Sequence, residues 1–305
     1  MIAPGTSATV TTPATTANLG PGFDALGLAL DWTDQASVTA TDGGLTLSLS
    51  GEGEATLPRD ERHLVIRTIR LGLQSLGADV AGLHFQARST IPLARGLGSS
   101  SAAIAAGLGL AWGLARQGED LDRQWAFDLA VHIEGHPDNV GPAIYGGFTI
   151  GWQNQGIWKL VHSPVSDNNQ ITALVPSTVL KTTQARSVMP QGIPLADAIA
   201  NSARTALLVH ALSTDPALLF DATEDFLHQE YRRELYPVSL RLVDDLRAEG
   251  LAAAISGAGP TVVVFHTRSG SALTDLVLDE VLAKNPAFAG FERHDLGVGA
   301  GLQVH

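Results

Sequence analysis

The chain has 305 residues, 45% of them hydrophobic and 16% charged; this supports one large or two ordinary folded domains and excludes wholesale disorder. Its formal charge of −12 argues against general binding to nucleic acid or anionic membrane surfaces, but leaves small anionic ligands open, because local geometry decides those. Cysteine is absent, which excludes disulfide frameworks, thiol nucleophiles and cysteine-based metal centres.

No Lys or Arg precedes Arg59, so neither the basic start of a secretory signal nor an Arg-rich transit segment is expected. The apolar run Ala102–Ala115 falls short of the ~20 residues that cross a bilayer. The expectation is a cytoplasmic protein. In chain order, β-branched Ala8–Thr12 predicts a strand that ends at Pro13. Ala36–Ala40 and Leu45–Leu49 read as strands on either side of the turn residues Asp42-Gly43-Gly44. Leu64, Val65, Ile69, Leu73 and Leu76 recur at helical spacing, and Leu83–Ala87 reads as a short strand. A Gly/Ser loop then leads into a helix over 101–116, apolar all round and therefore expected to be buried on most sides.

A helix over 121–133 places Leu121, Trp125, Leu129 and His132 on one stripe, and Ala143–Trp152 reads as a glycine-rich strand. The polar run Ser163–Gln170 reads as a loop near a domain boundary. Beyond it come a strand (171–180), a helix (194–211), further helices to 249, strands (251–256 and 261–266), a helix (270–284) and a terminal strand. This mixture predicts an α+β fold rather than a doubly wound sheet, with domains over 1–160 and 161–305. Trp112 and Trp125 read as core residues.

The most informative stretch is Pro92-Leu93-Ala94-Arg95-Gly96-Leu97-Gly98-Ser99-Ser100-Ser101-Ala102. Its glycines permit a tight turn and close backbone approach to a ligand. Its serines stand where N-caps belong. Free N–H groups and the helix dipole there favour an anion, and a serine hydroxyl in such a loop can reach a metal ion. An ordinary capped helix behind a flexible turn fits the same residues. The commonest nucleotide loop is excluded: the only lysines are Lys159, Lys181 and Lys284, none after a glycine, so GxxxxGK(S/T) does not occur. No GxGxxG opens a helix, which removes support for a dinucleotide fold.

Three segments resemble the motifs of one family in order and spacing. Pro13-Ala14-Thr15-Thr16-Ala17-Asn18-Leu19-Gly20-Pro21-Gly22-Phe23-Asp24 is similar to the first motif of the GHMP kinases (galactokinase, homoserine kinase, mevalonate kinase, phosphomevalonate kinase), residues 92–102 to their ATP-phosphate motif, and Ile255-Ser256-Gly257-Ala258-Gly259-Pro260-Thr261 to their third. Within that family, Glu134-Gly135-His136-Pro137-Asp138-Asn139-Val140, Thr182-Thr183-Gln184-Ala185-Arg186 and His228-Gln229-Glu230-Tyr231-Arg232 resemble the homoserine kinase branch.

The resemblance implies the GHMP kinase fold: an N-terminal domain of the ribosomal protein S5 domain 2-like type with a left-handed βαβ crossover, and a ferredoxin-like C-terminal domain. It implies ATP and Mg²⁺ as cofactors, L-homoserine as substrate, O-phosphohomoserine for threonine biosynthesis as product, and a homodimer as assembly. ATP is expected along Pro92, Leu93, Ala94, Arg95, Gly96, Leu97, Gly98, Ser99, Ser100, Ser101 and Ala102, with Ser100 and Glu134 on the metal. His63 stands where the family often has an adenine-side Asn. For the substrate, Arg186 and Arg232 suit a carboxylate and Asp24 an ammonium, with Asn18, His136, Asn139 and Thr182 around them. Asp138 is the candidate base and Asn139 its catalytic neighbour. Arg232 is preferred over Arg233 for its spacing to Pro237. A GHMP kinase of another small alcohol (mevalonate-type or threonine kinase) and a non-catalytic ligand sensor are the alternatives.

Overall fold

A computed structural model describes residues 1–305. Proline does not stop the first strand. β1 (Ser7–Ala17) continues past Pro13, where its register against β2 (Leu26–Thr41) shifts. A residue without an N–H is tolerated at such an irregularity. β3 (Gly44–Gly51) follows the expected glycine turn but makes no hairpin with β2. Helix α1 (Leu64–Ser75) instead carries the chain over to β4 (Gly82–Ser89), which lies between β2 and β3 and runs parallel to β3.

Helix α2 (Ser99–Ala115) is capped differently from the expectation. Its N-cap is Gly98 at φ +66°, with no side-chain cap, and Ser99 and Ser100 are the first two helical residues. The left-handed conformation required at that point strains any residue with a Cβ, so glycine displaces the serines from the cap. Asp122 caps α3 (Arg123–Glu134) by accepting the Trp125 N–H at 3.0 Å. The glycine-rich strand expected over 143–152 is shorter. Pro137 opens a helix, α4 (Pro137–Tyr145), and the strand β5 begins only at Phe148, running to Asn154. Proline at the first helical position presets φ and needs no N–H, so Ala143 and Ile144 belong to a helix. β6 (Ile157–Ser163) pairs with β5 and completes this part of the sheet.

The chain then enters a second, four-stranded antiparallel sheet. β7 (Asn169–Pro176) leads through α5 (Thr182–Ser187), α6 (Leu195–Ser213), α7 (Leu219–Ala222) and α8 (Pro237–Ala248) to β8 (Ala252–Ile255). β9 (Val262–Thr267), α9 (Ser271–Lys284) and β10 (Phe291–Leu296) follow. The strand order β10-β7-β9-β8 with this path is the β-α-β-β-α-β pattern of ferredoxin-like units. The final segment, β11 (Gln303–Val304), returns to the first sheet beside β1. Arg123 holds that return, donating to the Ile144 carbonyl and, at 3.1 Å, to that of Leu302. The terminal strand read from the sequence is thus two strands in two sheets. No helix is long and apolar enough to cross a membrane.

One core packs α1–α4 against the first sheet, and Trp112 and Trp125 pack together at its margin. A second core is shared by the two sheets: Leu28, Leu30 and Phe148 of the first meet Ala173, Val263 and Phe265 of the second, with Leu208 and Leu212 of α6. All five tryptophans (Trp32, Trp112, Trp125, Trp152, Trp158) precede β7. Removing the buried ring in Phe265→Ala is expected to cost about 3–5 kcal/mol. Because the core is shared, tryptophan emission and far-ultraviolet circular dichroism should lose stability together in denaturant. A tryptophan-detected midpoint left at the wild-type value would show that the second sheet unfolds independently.

Candidate active site

A cavity of about 430 Å³ opens at the start of α2, walled by β2, β4 and α1 on one side and by Leu180–Arg186, Arg232 and Gly257–Ala258 on the other. The glycine–serine loop crosses it, and four successive carbonyls of that loop are tied outward. Leu180 N–H bonds Ala94 O at 2.9 Å, Thr261 N–H bonds Arg95 O at 3.2 Å, Ser256 Oγ donates to Gly96 O at 2.6 Å, and Thr15 N–H bonds Leu97 O at 3.1 Å. The N–H groups of Gly96 through Ser101, in the stretch that lines the cavity, have no acceptor within the protein. Six unpaired donors at a helix N-terminus form an anion cradle.

Gly96 and Gly98 have φ of +79° and +66°, and a Cβ on them would collide with Ser256 O and Thr15 Oγ1 respectively. Arg95 turns its guanidinium away from the loop's donors, onto the Pro176 carbonyl at 2.9 Å and that of Ser177 at 3.2 Å. Of the loop residues, it therefore acts as a strut to the second sheet.

At the head of the cradle, Ser100 Oγ donates to Glu134 Oε2 at 3.4 Å. Burial raises the Glu134 pKa, against the opposing charges of His136 and Arg186. A half-buried carboxylate whose only bonded partner is one hydroxyl suits a hard cation. One carboxylate and one hydroxyl leave the remaining positions around such a cation to phosphate and water, the way Mg²⁺ is usually held. On the opposite wall Leu49, Leu64, Val65 and Phe85 line an apolar recess with His63. His63 is buried, neither ring nitrogen has a partner, and its ring lies 5.4 Å from that of Phe85. Burial lowers its pKa, leaving a neutral ring with one donor and one acceptor nitrogen.

The same cavity carries a set of charged groups. The loop after β1 is wound through left-handed conformations at Asn18 (φ +67°), Leu19 (+52°) and Asp24 (+57°). Asn18 holds it, accepting the Asp24 N–H at 3.0 Å and donating to Gly257 O at 2.8 Å. Asp24 and Arg186, expected at opposite ends of a zwitterion, are bonded to each other through two contacts of 3.0 and 2.7 Å. This bidentate pair raises the Arg186 pKa despite burial. Arg232 is buried, donates from Nε to Ala185 O at 3.1 Å, and lies 5.1 Å over the Phe23 ring. Arg233 points out to Glu230 and Asp244, so of the two neighbours Arg232 faces the cavity.

His136 precedes the first turn of α4, and its Nδ1 lies 2.8 Å from Asp138 Oδ1. Asn139 accepts from Thr15 Oγ1 at 2.8 Å, and Thr182 opens α5 on the opposite wall. Every expected site residue except Pro92 lines this cavity. The motifs alone assign no role to Ser256 or His228, although both lie inside them, Ser256 beside Gly257 and His228 four residues before Arg232.

The family model for the GHMP kinases N-terminal domain matches residues 63–147, and that for the GHMP kinases C-terminal part matches 206–275. The homoserine kinase of Cutibacterium acnes is 45% identical over 97% of this chain and 98% of that protein. That of Streptomyces coelicolor is 49% identical over 83% of this chain and 82% of its own. A crystal structure of the homoserine kinase of Cytophaga hutchinsonii superposes with a TM-score of 0.84 over 98% of both chains at 26% identity. A mevalonate kinase from L. major in complex with R-mevalonate shares the fold, with a TM-score of 0.69 at 16% identity over 99% of this chain and 100% of its own.

Two expectations follow from the geometry. Ser256→Ala removes the donor to Gly96 O and should raise the nucleotide KM about tenfold in steady-state kinetics, with global stability falling by about 1–3 kcal/mol at most; an unchanged nucleotide KM would show that the loop holds its shape without this bond. For His136, burial opposes the charge, but the bond and charge of Asp138 outweigh it and raise the pKa above 6.5. Its pairing therefore stabilises the fold fully below the unfolded value and loses that contribution as pH rises through the folded one. The stability gap between wild type and His136→Asn in denaturant titrations should be wider at about pH 5.5 than at about pH 9. An equal gap at both would remove the ion pair.

Proposed function

This chain belongs to the GHMP kinases, in their homoserine kinase branch, and from that premise we propose how its site phosphorylates L-homoserine with ATP to O-phospho-L-homoserine, a step of threonine biosynthesis. The observation that carries the assignment of roles is the presence of two kinds of group in one cavity. Six unpaired backbone donors line it, and so do the charged groups Asp24, Arg186 and Arg232. A polyphosphate and an amino-acid zwitterion are the two ligands that this pairing suits.

ATP lies with its phosphates along Pro92–Ala102 and its base in the apolar recess beside His63, whose free nitrogens can meet the adenine edge. Ser100 and Glu134 would hold Mg²⁺, which supplies charge neutralisation to the phosphates when bound. Homoserine exchanges with the internal ion pair: its carboxylate takes Arg186 and Arg232, and its ammonium takes Asp24. Asn18, Thr182, His136 and Asn139 complete the surround. The substrate hydroxyl oxygen then bonds to the γ-phosphorus as the bond from that phosphorus to the β–γ bridging oxygen breaks. Phosphoryl transfer asks mainly for alignment and charge stabilisation, which the fixed loop donors provide. Asp138, oriented by His136 and neighboured by Asn139, is the residue proposed to receive the hydroxyl proton.

Residues 1–160 form the nucleotide-binding domain in this reading, completed by the end of β6 and by β11, and the rest of 161–305 forms the domain that faces the amino acid. A cytoplasmic homodimer is the proposed working form, with Leu273 and Leu276, exposed on α9, as available apolar surface. A mevalonate-type substrate would use the arginines but leave Asp24 without a cation, which favours the amino acid.

Initial rates of ADP release with homoserine, mevalonate, galactose and threonine should show clear preference for homoserine, and no preference would overturn the substrate assignment. Arg186→Ala should raise the homoserine KM at least tenfold, while Glu134→Gln and Ser100→Ala should lower kcat by a factor of about 100 or more, equivalent to about 2.7 kcal/mol. An unaltered KM would remove the carboxylate clamp, and an unaltered kcat the metal assignment.

A further inference from the structure

His228 is fully enclosed, and both of its ring nitrogens are engaged. Nδ1 lies 3.2 Å from Arg232 Nη1, and Nε2 lies 2.8 Å from Gly20 O. An arginine can only donate, so Nδ1 must carry a lone pair; Nε2 then carries the proton and donates it to the carbonyl. The ring is thereby restricted to one neutral tautomer. Asp225 Oδ1 is 3.6 Å from Nε2, but the Asp225 carboxylate is chiefly occupied by the N–H groups of Leu227, His228 and Gln229 at 3.0, 3.0 and 2.7 Å. That carboxylate fixes the backbone carrying the histidine.

These bonds join two parts of the site that belong to different halves of the chain. Gly20 lies in the left-handed loop that presents Asp24, while Arg232 comes from the segment before α8. Phe23, in the same loop, stacks on the His228 ring with centroids 5.0 Å apart and carries the Arg232 guanidinium on its face. The imidazole is thus a rigid spacer between the proposed ammonium acceptor and the buried carboxylate clamp.

We propose that His228 is a positioning residue that fixes Arg232 relative to Asp24, so that an ammonium and a carboxylate on the same carbon are held at once. This rests on the assignment of Asp24 and Arg232 to the amino-acid substrate. The two bonds can be separated by substitution. His228→Asn places an amide oxygen near Nδ1 and retains an acceptor for Arg232. His228→Gln places an amide nitrogen near Nε2, keeps the bond to Gly20 and loses that acceptor.

In steady-state kinetics on the full chain, His228→Gln should raise the homoserine KM about tenfold, leaving kcat and the ATP KM within about threefold. His228→Asn should restore a homoserine KM within about threefold of wild type. Equal effects of both substitutions, no effect of either, or a loss confined to kcat would overturn the proposal. Wild type without homoserine phosphorylation would instead overturn the substrate reading beneath it. Independently of the kinetics, ring-nitrogen NMR of histidine-labelled wild type at about pH 7.5 should contain one neutral ring, protonated on Nε2, that is shielded from solvent exchange. With the His228 signals assigned by their loss in the His228→Asn spectrum, a His228 ring protonated on Nδ1, or on both nitrogens, would equally overturn the proposal.

Discussion

The site depends on the outward tethering of four consecutive carbonyls, Ala94 to Leu97, to groups that come mostly from the other half of the chain. A peptide unit whose oxygen is held on one side has its neighbouring N–H groups directed by that restraint. The anion cradle is therefore made by what grips the loop from behind as much as by its glycines. The tethers also explain how Ala94 tolerates a φ of +54°: such strain persists where surrounding bonds over-determine the backbone. This arrangement reconciles a formal charge of −12 with a nucleotide ligand, since oriented dipoles act over a few ångströms whereas net charge describes the whole surface.

The proposed amino-acid site follows a different principle. Asp24 and Arg186 neutralise each other, while Arg232 forms no ion pair and is met by a carbonyl, an aromatic face and a neutral histidine. A zwitterion can exchange into such a pair without changing the net charge of the pocket, so little electrostatic energy need be spent on desolvating an isolated ion. A neutral sugar offers neither charge for that exchange.

Much of this was legible in the residues. Periodicity located α1 and α3, and three ordered motifs located the cavity, because those signals arise from short-range geometry. The failures are equally physical. A strand was expected across Ala143 and Ile144, where proline at a first helical position had already committed the chain to α4. Serines were expected to cap α2, but collision with Thr15 requires a glycine there. The pairing of β3 with β4, and of β11 with β1, is nonlocal and has no local sequence mark. His228 carries no signature of its own, and only the neighbours that fix its tautomer reveal its part in the site.

The return of β11 to the side of β1 also constrains the order of assembly. Val304 pairs with Val10, and the His305 N–H bonds the Thr9 carbonyl at 2.8 Å. During synthesis the first sheet therefore waits, one strand short, until the residues of the second sheet have been made. The half that carries the glycine–serine loop is made before the second sheet and, by this strand, finished after it.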